Sequence, residues 1–102
     1  MERFLERASR EEILEFDNAI KGGDIELSAN YLNMTELAGY ELFRSMTKRG
    51  VDFAASKGME LKSAMTADVN GYSWGWSQIL ADLGIENLFF CVHTHHGMFP
   101  VR

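Results

Sequence analysis

Hydrophobic residues recur along this chain at two spacings, one typical of helices and one typical of strands. Ser9-x-x-Glu12 has the form of a capping box. Apolar residues follow it at the spacing of one helical face: Ile13, Phe16 and Ile20. Lys21, Gly22 and Gly23 then supply a cationic last turn and a glycine stop. The pattern predicts a first helix between Ser9 and Gly23.

Three short apolar segments predict strands. Residues 25–32 alternate apolar and polar side chains, and residues 61–66 alternate in part. Residues 88–92 form a continuous apolar run, which suits a parallel strand buried on both faces. Helices are predicted between the strands. One runs from about 35 to 57, with Gly58 as its stop, and the other presents one apolar face and ends near Gly84: Trp76, Ile79, Leu80 and Leu83.

The predicted order αβαβαβ indicates an α/β fold made of three βα-type units with parallel strands. Three such strands would leave both outer edges unpaired and the apolar 88–92 run without full cover. We therefore expect residues 1–102 to be one partial domain, a slice of a larger fold whose remaining strands are missing from this chain. Cys91, the only cysteine, is expected to be a small core residue.

Polar residues follow each predicted strand. Asn33 to Glu36 follow the first, Asp68 to Gly71 the second, and His93 to His96 the third. In α/β barrels and open α/β sheets this end of the strands carries the active site. The chemistry of the chain is therefore expected at one rim.

Composition excludes several classes of function. The net charge of −5 argues against a nucleic-acid partner, which would require clustered Lys and Arg. The longest apolar runs are far shorter than a membrane-spanning helix, so no membrane span is expected.

The stretch 66–92 resembles the glycoside hydrolase family 38 α-mannosidases. That family carries Asp-Pro-Phe-Gly-His-Ser at a strand end, followed by a helix, a glycine and a Phe-rich strand. Here the run is Asp68-Val69-Asn70-Gly71-Tyr72-Ser73, then ILADLGIENLFF. It is closer still to bacterial relatives that read Asp-Val-Pro-Gly-Tyr-Thr-Trp-Gly. Residues 22–27, GGDIEL, also resemble the family's first strand entry.

The resemblance implies a (β/α)7 barrel of the glycoside hydrolase or deacetylase type, acting on a carbohydrate substrate with zinc as cofactor. It also implies that Asp68 is both the catalytic nucleophile and a zinc ligand. The family's other zinc ligands and its acid/base have no matching positions in this chain, so the chain alone is expected to be inactive. Tyr72 stands where the family has His, Asn70 where it has Phe, and Val92 near a common Arg.

Each candidate side chain has a simpler interpretation beside the functional one. Asp68 precedes a glycine turn, where Asp is common for conformational reasons alone. His93 and His95 share a strand parity, and we expect a polar, substrate-facing pocket edge there more than a metal site. Asn33 and Tyr72 are further candidates for substrate contact. Trp74 is left open between stacking on a sugar and packing, whereas Trp76 belongs to the apolar helix face.

Two functions from different classes remain open at this point. The first is part of a metal-dependent retaining glycoside hydrolase, α-mannosidase-like, with a related barrel sugar deacetylase as a variant. The second is a non-catalytic α/β interaction module that has kept only the scaffold.

Overall fold

A computed structural model describes residues 2–30, 39–67, 73–91 and 95. The described elements are four helices and two strands: α1 (Glu2–Leu5), α2 (Arg10–Gly22), α3 (Tyr40–Ser56), β1 (Ser63–Thr66), α4 (Trp74–Asp82) and β2 (Asn87–Phe90). The mixed α/β composition is as expected. The predicted capping box and glycine stops are confirmed, with Gly23, Gly58 and Gly84 at φ 83°, 76° and 77°. None of the described helices has the length and apolar content needed to cross a membrane.

The two strands pair in parallel, with Ser63 opposite Asn87 and Thr66 opposite Phe90. Helix α4 connects them, so β1–α4–β2 is one βαβ unit. This pairing confirms that the strands predicted at 61–66 and 88–92 run parallel.

The hydrophobic core lies on one side of this sheet. It contains Ile20, Leu27, Ala29, Ala54, Leu61, Ala64, Trp76, Ile79, Leu80 and Ile85. Trp76 is 3% exposed and meets the Phe43 ring edge-on, with centroids 5.7 Å apart, which joins α3 to α4. Lys57 caps the carboxyl end of α3, and its Nζ lies 2.7 Å from Asp17 Oδ1 on α2.

The predicted first strand is wrong for the residues that can be checked, because 25–30 form no strand. Only one backbone bond in this segment reaches β1, from Ala29 N–H to the Ser63 carbonyl at 3.1 Å. Ser28 Oγ accepts from Met65 N–H at 2.9 Å, and Asn30 Nδ2 donates to the Met65 carbonyl at 2.8 Å. The side chains of Ser28 and Asn30 thus bond to the β1 backbone where a paired strand would use its own backbone groups, as Ser and Asn readily do. Three βα-type units were predicted, whereas the described residues form one βαβ unit.

The Ala29 carbonyl lies instead against α3. A Cβ placed on Gly50 would stand 2.6 Å from that oxygen. Glycine is therefore needed here for a close approach between a helix and a neighbouring backbone. Helix α3 continues unbroken through this position.

The expectation that the last strand is buried on both faces is also wrong. Phe89 is 63% exposed and Phe90 37%, and only Leu88 packs against the core. Cys91 is exposed, which corrects its prediction as a core residue. The exposure of Phe89 follows because the described helices pack against the opposite face of the sheet, the one that includes Ala64 and Leu88.

A first prediction concerns the start of α2, where Ser9 Oγ accepts from Glu12 N–H at 3.2 Å and Ser9 N–H donates to Glu12 Oε2 at 2.8 Å. We expect Ser9→Ala to cost about 1 kcal/mol of stability in urea unfolding, and Ser45→Ala, on exposed α3 surface, to cost much less. The Ser9 backbone N–H, and then its hydroxyl, lower the pKa of the Glu12 carboxyl. The cap should therefore be complete above the ordinary carboxyl pKa and weaken as pH falls through the lowered one. Equal stability of the two variants would contradict this assignment.

Candidate functional site

The carboxyl ends of β1 and β2 lie side by side. Cys91 N–H donates to the Thr66 carbonyl at 3.3 Å, so the two chains leave the sheet together. In sequence, Asp68 follows Thr66 by two positions and His93 follows Cys91 by two. The sheet thus brings together the points from which the two candidate segments depart. We define these sheet ends as the carboxyl rim.

The candidate side chains themselves fall mostly outside the described residues. Asp68, Asn33, Tyr72 and His93 belong to this group, so their predicted roles stay predictions. His95 is described and exposed, as a substrate-facing residue would need to be.

The two tryptophans differ sharply in their exposure to solvent. Trp74, the first residue of α4, is 90% exposed, whereas Trp76 is in the core. The prediction that Trp76 packs inside is confirmed. Trp74 does not belong to the core formed by the described residues.

Ion pairs lie at the amino ends of the two strands. Lys62 Nζ lies 2.7 Å from Glu60 Oε1 and 2.8 Å from Glu86 Oε1. These two carboxylates, Glu60 first, raise the pKa of Lys62. The Lys62 carbonyl also accepts from the N–H groups of Glu86 and Asn87, both at 3.0 Å. These charged side chains at the amino ends of the strands pair with one another, which indicates a structural role.

Sequence reasoning missed a groove on the uncovered face of the sheet. It has a volume of about 320 Å³ and is lined by Glu26, Leu27, Ser28, Ser63, Ala64, Met65, Asn87 and Phe89. Its floor has a polar cross-strand pair, Ser63 and Asn87, and an apolar pair, Met65 and Phe89. Met65 is 54% exposed. The alternation of Ser63 with Met65, and of Asn87 with Phe89, carried the signal for this face.

Within residues 2–30, 39–67, 73–91 and 95, no group of three His, Cys, Asp or Glu side chains is arranged to bind one metal ion. Catalytic zinc takes three protein ligands. The described residues therefore do not by themselves form a catalytic zinc site.

A second prediction tests the bonds that hold residues 28–30 beside β1. We expect Ser28→Ala to lower the free energy of unfolding by about 1 kcal/mol, because the Met65 N–H loses its acceptor. Ser63→Ala is the matched control, since no bond of the Ser63 hydroxyl is found among the described residues, and it should change stability by less than about 0.5 kcal/mol. Hydrogen exchange of the Met65 amide should quicken in Ser28→Ala alone. An unchanged Met65 amide would contradict the assigned bond.

Comparison with known protein families, with curated proteins and with solved structures finds no significant match to this chain.

Proposed function

We propose that this chain is part of a metal-dependent retaining glycoside hydrolase, α-mannosidase-like, in which Asp68 is the nucleophile. The observation that carries the proposal is the parallel pairing of β1 and β2. It brings the carboxyl ends of the two strands together, and Asp68 and His93 follow those ends in sequence. Enzymes with parallel α/β sheets carry their active sites at such ends. The motif resemblance across 66–92 supplies the class of reaction.

Retaining hydrolysis of a glycoside requires two carboxyl groups. A retaining glycosidase uses one as nucleophile and one as acid/base, about 5–5.5 Å apart, and passes through a covalent glycosyl-enzyme. Asp68 is our candidate for the first. The second is proposed to come from a part of the barrel that this chain does not contain.

The uncovered face of the sheet supports a barrel. Parallel sheets are normally covered on both faces. Here helices pack against the side that includes Ala64 and Leu88, while Met65 and Phe89 remain exposed on the other. In a closed barrel the second side becomes the interior, where layers of side chains from all strands meet. A barrel slice therefore accounts for the two exposed side chains.

Zinc belongs to the proposal only because the family resemblance implies it. Asp68 would be one of its ligands, and the bound ion would supply orientation of sugar hydroxyls. The His, Cys, Asp and Glu side chains among the described residues do not by themselves form a complete zinc site.

The test compares the 102-residue chain with the complete protein that contains it. We expect no aryl-mannoside turnover and less than stoichiometric zinc from the short chain, because the acid/base and further ligands are elsewhere. The complete protein should turn over the substrate and hold zinc. Zinc-dependent turnover by the short chain would refute the partial-barrel proposal, and an inactive, metal-free complete protein would refute the enzyme.

An interaction module is the second candidate, and the exposed Met65–Phe89 pair is the observation that favours it. In that case Phe89→Ser should abolish partner capture by the complete protein. Under the enzyme proposal, the same variant should chiefly lower stability. Retained stability together with lost capture would support the interaction module.

A further inference from the structure

The groove on the uncovered face of the sheet changes in polarity along its length. At the amino end of the strands it is polar, with the cross-strand pair Ser63 and Asn87. About 7 Å further along the strands, the pair Met65 and Phe89 makes it apolar. These two apolar side chains are 54% and 63% exposed. A ligand that fills the volume of about 320 Å³ therefore needs an apolar part and a polar part.

Glu26 is the one charged residue among those described in the lining of the groove. Within the described part of the chain, its exposed side chain forms no ion pair and no hydrogen bond. Lys62, next to Ser63 in the chain, is already shared by the carboxylates of Glu60 and Glu86. The groove thus carries a negative charge without a counter-charge among the described residues. This charge favours a cationic ligand.

The charge has a further consequence if the face is covered, as the proposed barrel requires. A carboxylate that is removed from water without a counter-charge strongly destabilises the fold. The polypeptide that covers the groove is therefore expected to bring a cation to Glu26. Arginine suits this position better than lysine, because its planar guanidinium has five N–H donors. The carboxylate and the polar cross-strand pair can share these donors, while the methylene stem lies on the apolar pair.

We propose that this groove is a binding site for a guanidinium group, filled in the complete protein by an arginine from the part of the barrel that this chain lacks. The source of the arginine rests on the proposed function, whereas the site itself rests on described residues. Glu26 pairs with the guanidinium, and the side-chain oxygens of Ser63 and Asn87 accept from its remaining N–H groups. The contact involves no metal, no sugar and no nucleophile.

The experiment is a titration of the isotope-labelled 102-residue chain with n-butylguanidinium chloride, followed by amide NMR. Neutral n-butylurea has nearly the same shape and is the matched probe. We expect saturable shifts of the Met65, Asn87 and Phe89 amides with butylguanidinium, at a Kd on the order of millimolar for so small a ligand. Butylurea should bind about two- to fivefold more weakly, the range of an exposed ion pair. Added salt should reduce this difference.

Glu26→Gln removes the charge and keeps the shape of the side chain. It should lower the affinity for butylguanidinium to that for butylurea and leave the affinity for butylurea unchanged. Glu15→Gln, on the exposed surface of α2, is the matched control and should bind as the wild type does. Equal affinity of the wild type for the two probes, shifts away from the groove, or an unaffected Glu26→Gln would overturn the site. Tighter binding of n-butylammonium would overturn the choice of arginine over lysine.

The source of the arginine is tested on the complete protein. There the groove should already be filled, so butylguanidinium should leave the Met65 and Phe89 signals unchanged. Glu26→Gln should lower the urea midpoint of the complete protein and not that of the short chain, because only the former would keep a buried cation without its partner. Shifts of the same signals in the complete protein, or equal midpoint changes in the two proteins, would overturn the assignment to a barrel arginine.

This proposal and the enzyme proposal fail separately. Guanidinium binding that depends on Glu26, together with full turnover in the Asp68→Asn form of the complete protein, would keep the groove site and remove the nucleophile. Turnover that depends on Asp68, without any effect of Glu26→Gln on guanidinium binding, would do the reverse.

Discussion

Gly50→Ala is expected to destabilise the protein by about 1–3 kcal/mol, although alanine is the better helix former. Within an exposed helix the same change would gain up to about 1 kcal/mol. Here the new Cβ would meet the Ala29 carbonyl oxygen at 2.6 Å, and its carbon at 3.1 Å. Both are backbone atoms, and Ala29 is fully buried, so the contact can be relieved only by separating α3 from the 28–30 segment.

The matched control is Gly75→Ala in α4. Among the described residues, its Cβ would meet the Ser73 hydroxyl at 3.2 Å, and a side-chain oxygen can rotate away. We expect this variant to be as stable as the wild type or more stable. The measurement is the urea midpoint of both variants together with the Ala29 amide exchange rate. Wild-type stability in Gly50→Ala would show that the Ala29 carbonyl does not lie against α3.

The second large effect is expected at Asp68. In the complete enzyme that we propose, Asp68→Asn should reduce kcat for an aryl mannoside on the order of 10³-fold or more, because an amide cannot serve as the nucleophile. It should also weaken zinc binding, since the amide oxygen is neutral. His93→Ala should cost more activity than His96→Ala if the two side chains face opposite sides of an extended segment.

The control for this prediction is Asp52→Asn, on the exposed surface of α3. In the part of the chain that the structure describes, Asp52 pairs with Lys48 (i,i+4) at 2.6 Å, and such a pair contributes little to stability. Its variant should keep wild-type turnover. Full turnover in a folded Asp68→Asn protein would contradict the assigned role.

The helices were the most predictable part of the fold. Their signals are local: the Ser9–Glu12 capping box, the glycines that end α2, α3 and α4, and the apolar face around Trp76 each occupy a few neighbouring residues. The pairing of β1 with β2 followed from the βαβ order. Local patterns of this kind survive in the folded protein because tertiary packing agrees with them.

The first strand was not predictable from alternation. Residues 25–30 have the period of a strand, but Ser28 and Asn30 use their side chains where a ladder would use backbone groups. The packing of Ala29 against Gly50 is part of this arrangement, and that contact joins positions 21 residues apart in the sequence. The exposure of Cys91 and Phe89 has a similar origin, since apolarity predicts what a residue would bury and not whether a covering layer is present.

The candidate site was predictable only in outline. Polar residues after parallel strands indicated one rim, and the Thr66–Cys91 contact brings the two strand ends together. The open-face groove went unrecognised because its lining comes from two strands and a neighbouring loop, with no motif in any one of them.

The most direct test of the central claim is covalent labelling of the nucleophile. A 2-deoxy-2-fluoro mannosyl fluoride slows hydrolysis of the glycosyl-enzyme, so a retaining mannosidase should accumulate it. Intact mass of the complete protein should rise by one sugar residue, and peptide mapping should place the label on Asp68, with none in Asp68→Asn. A label on another carboxylate, or turnover of an ordinary aryl mannoside with no labelled protein, would contradict the assignment of Asp68 as nucleophile.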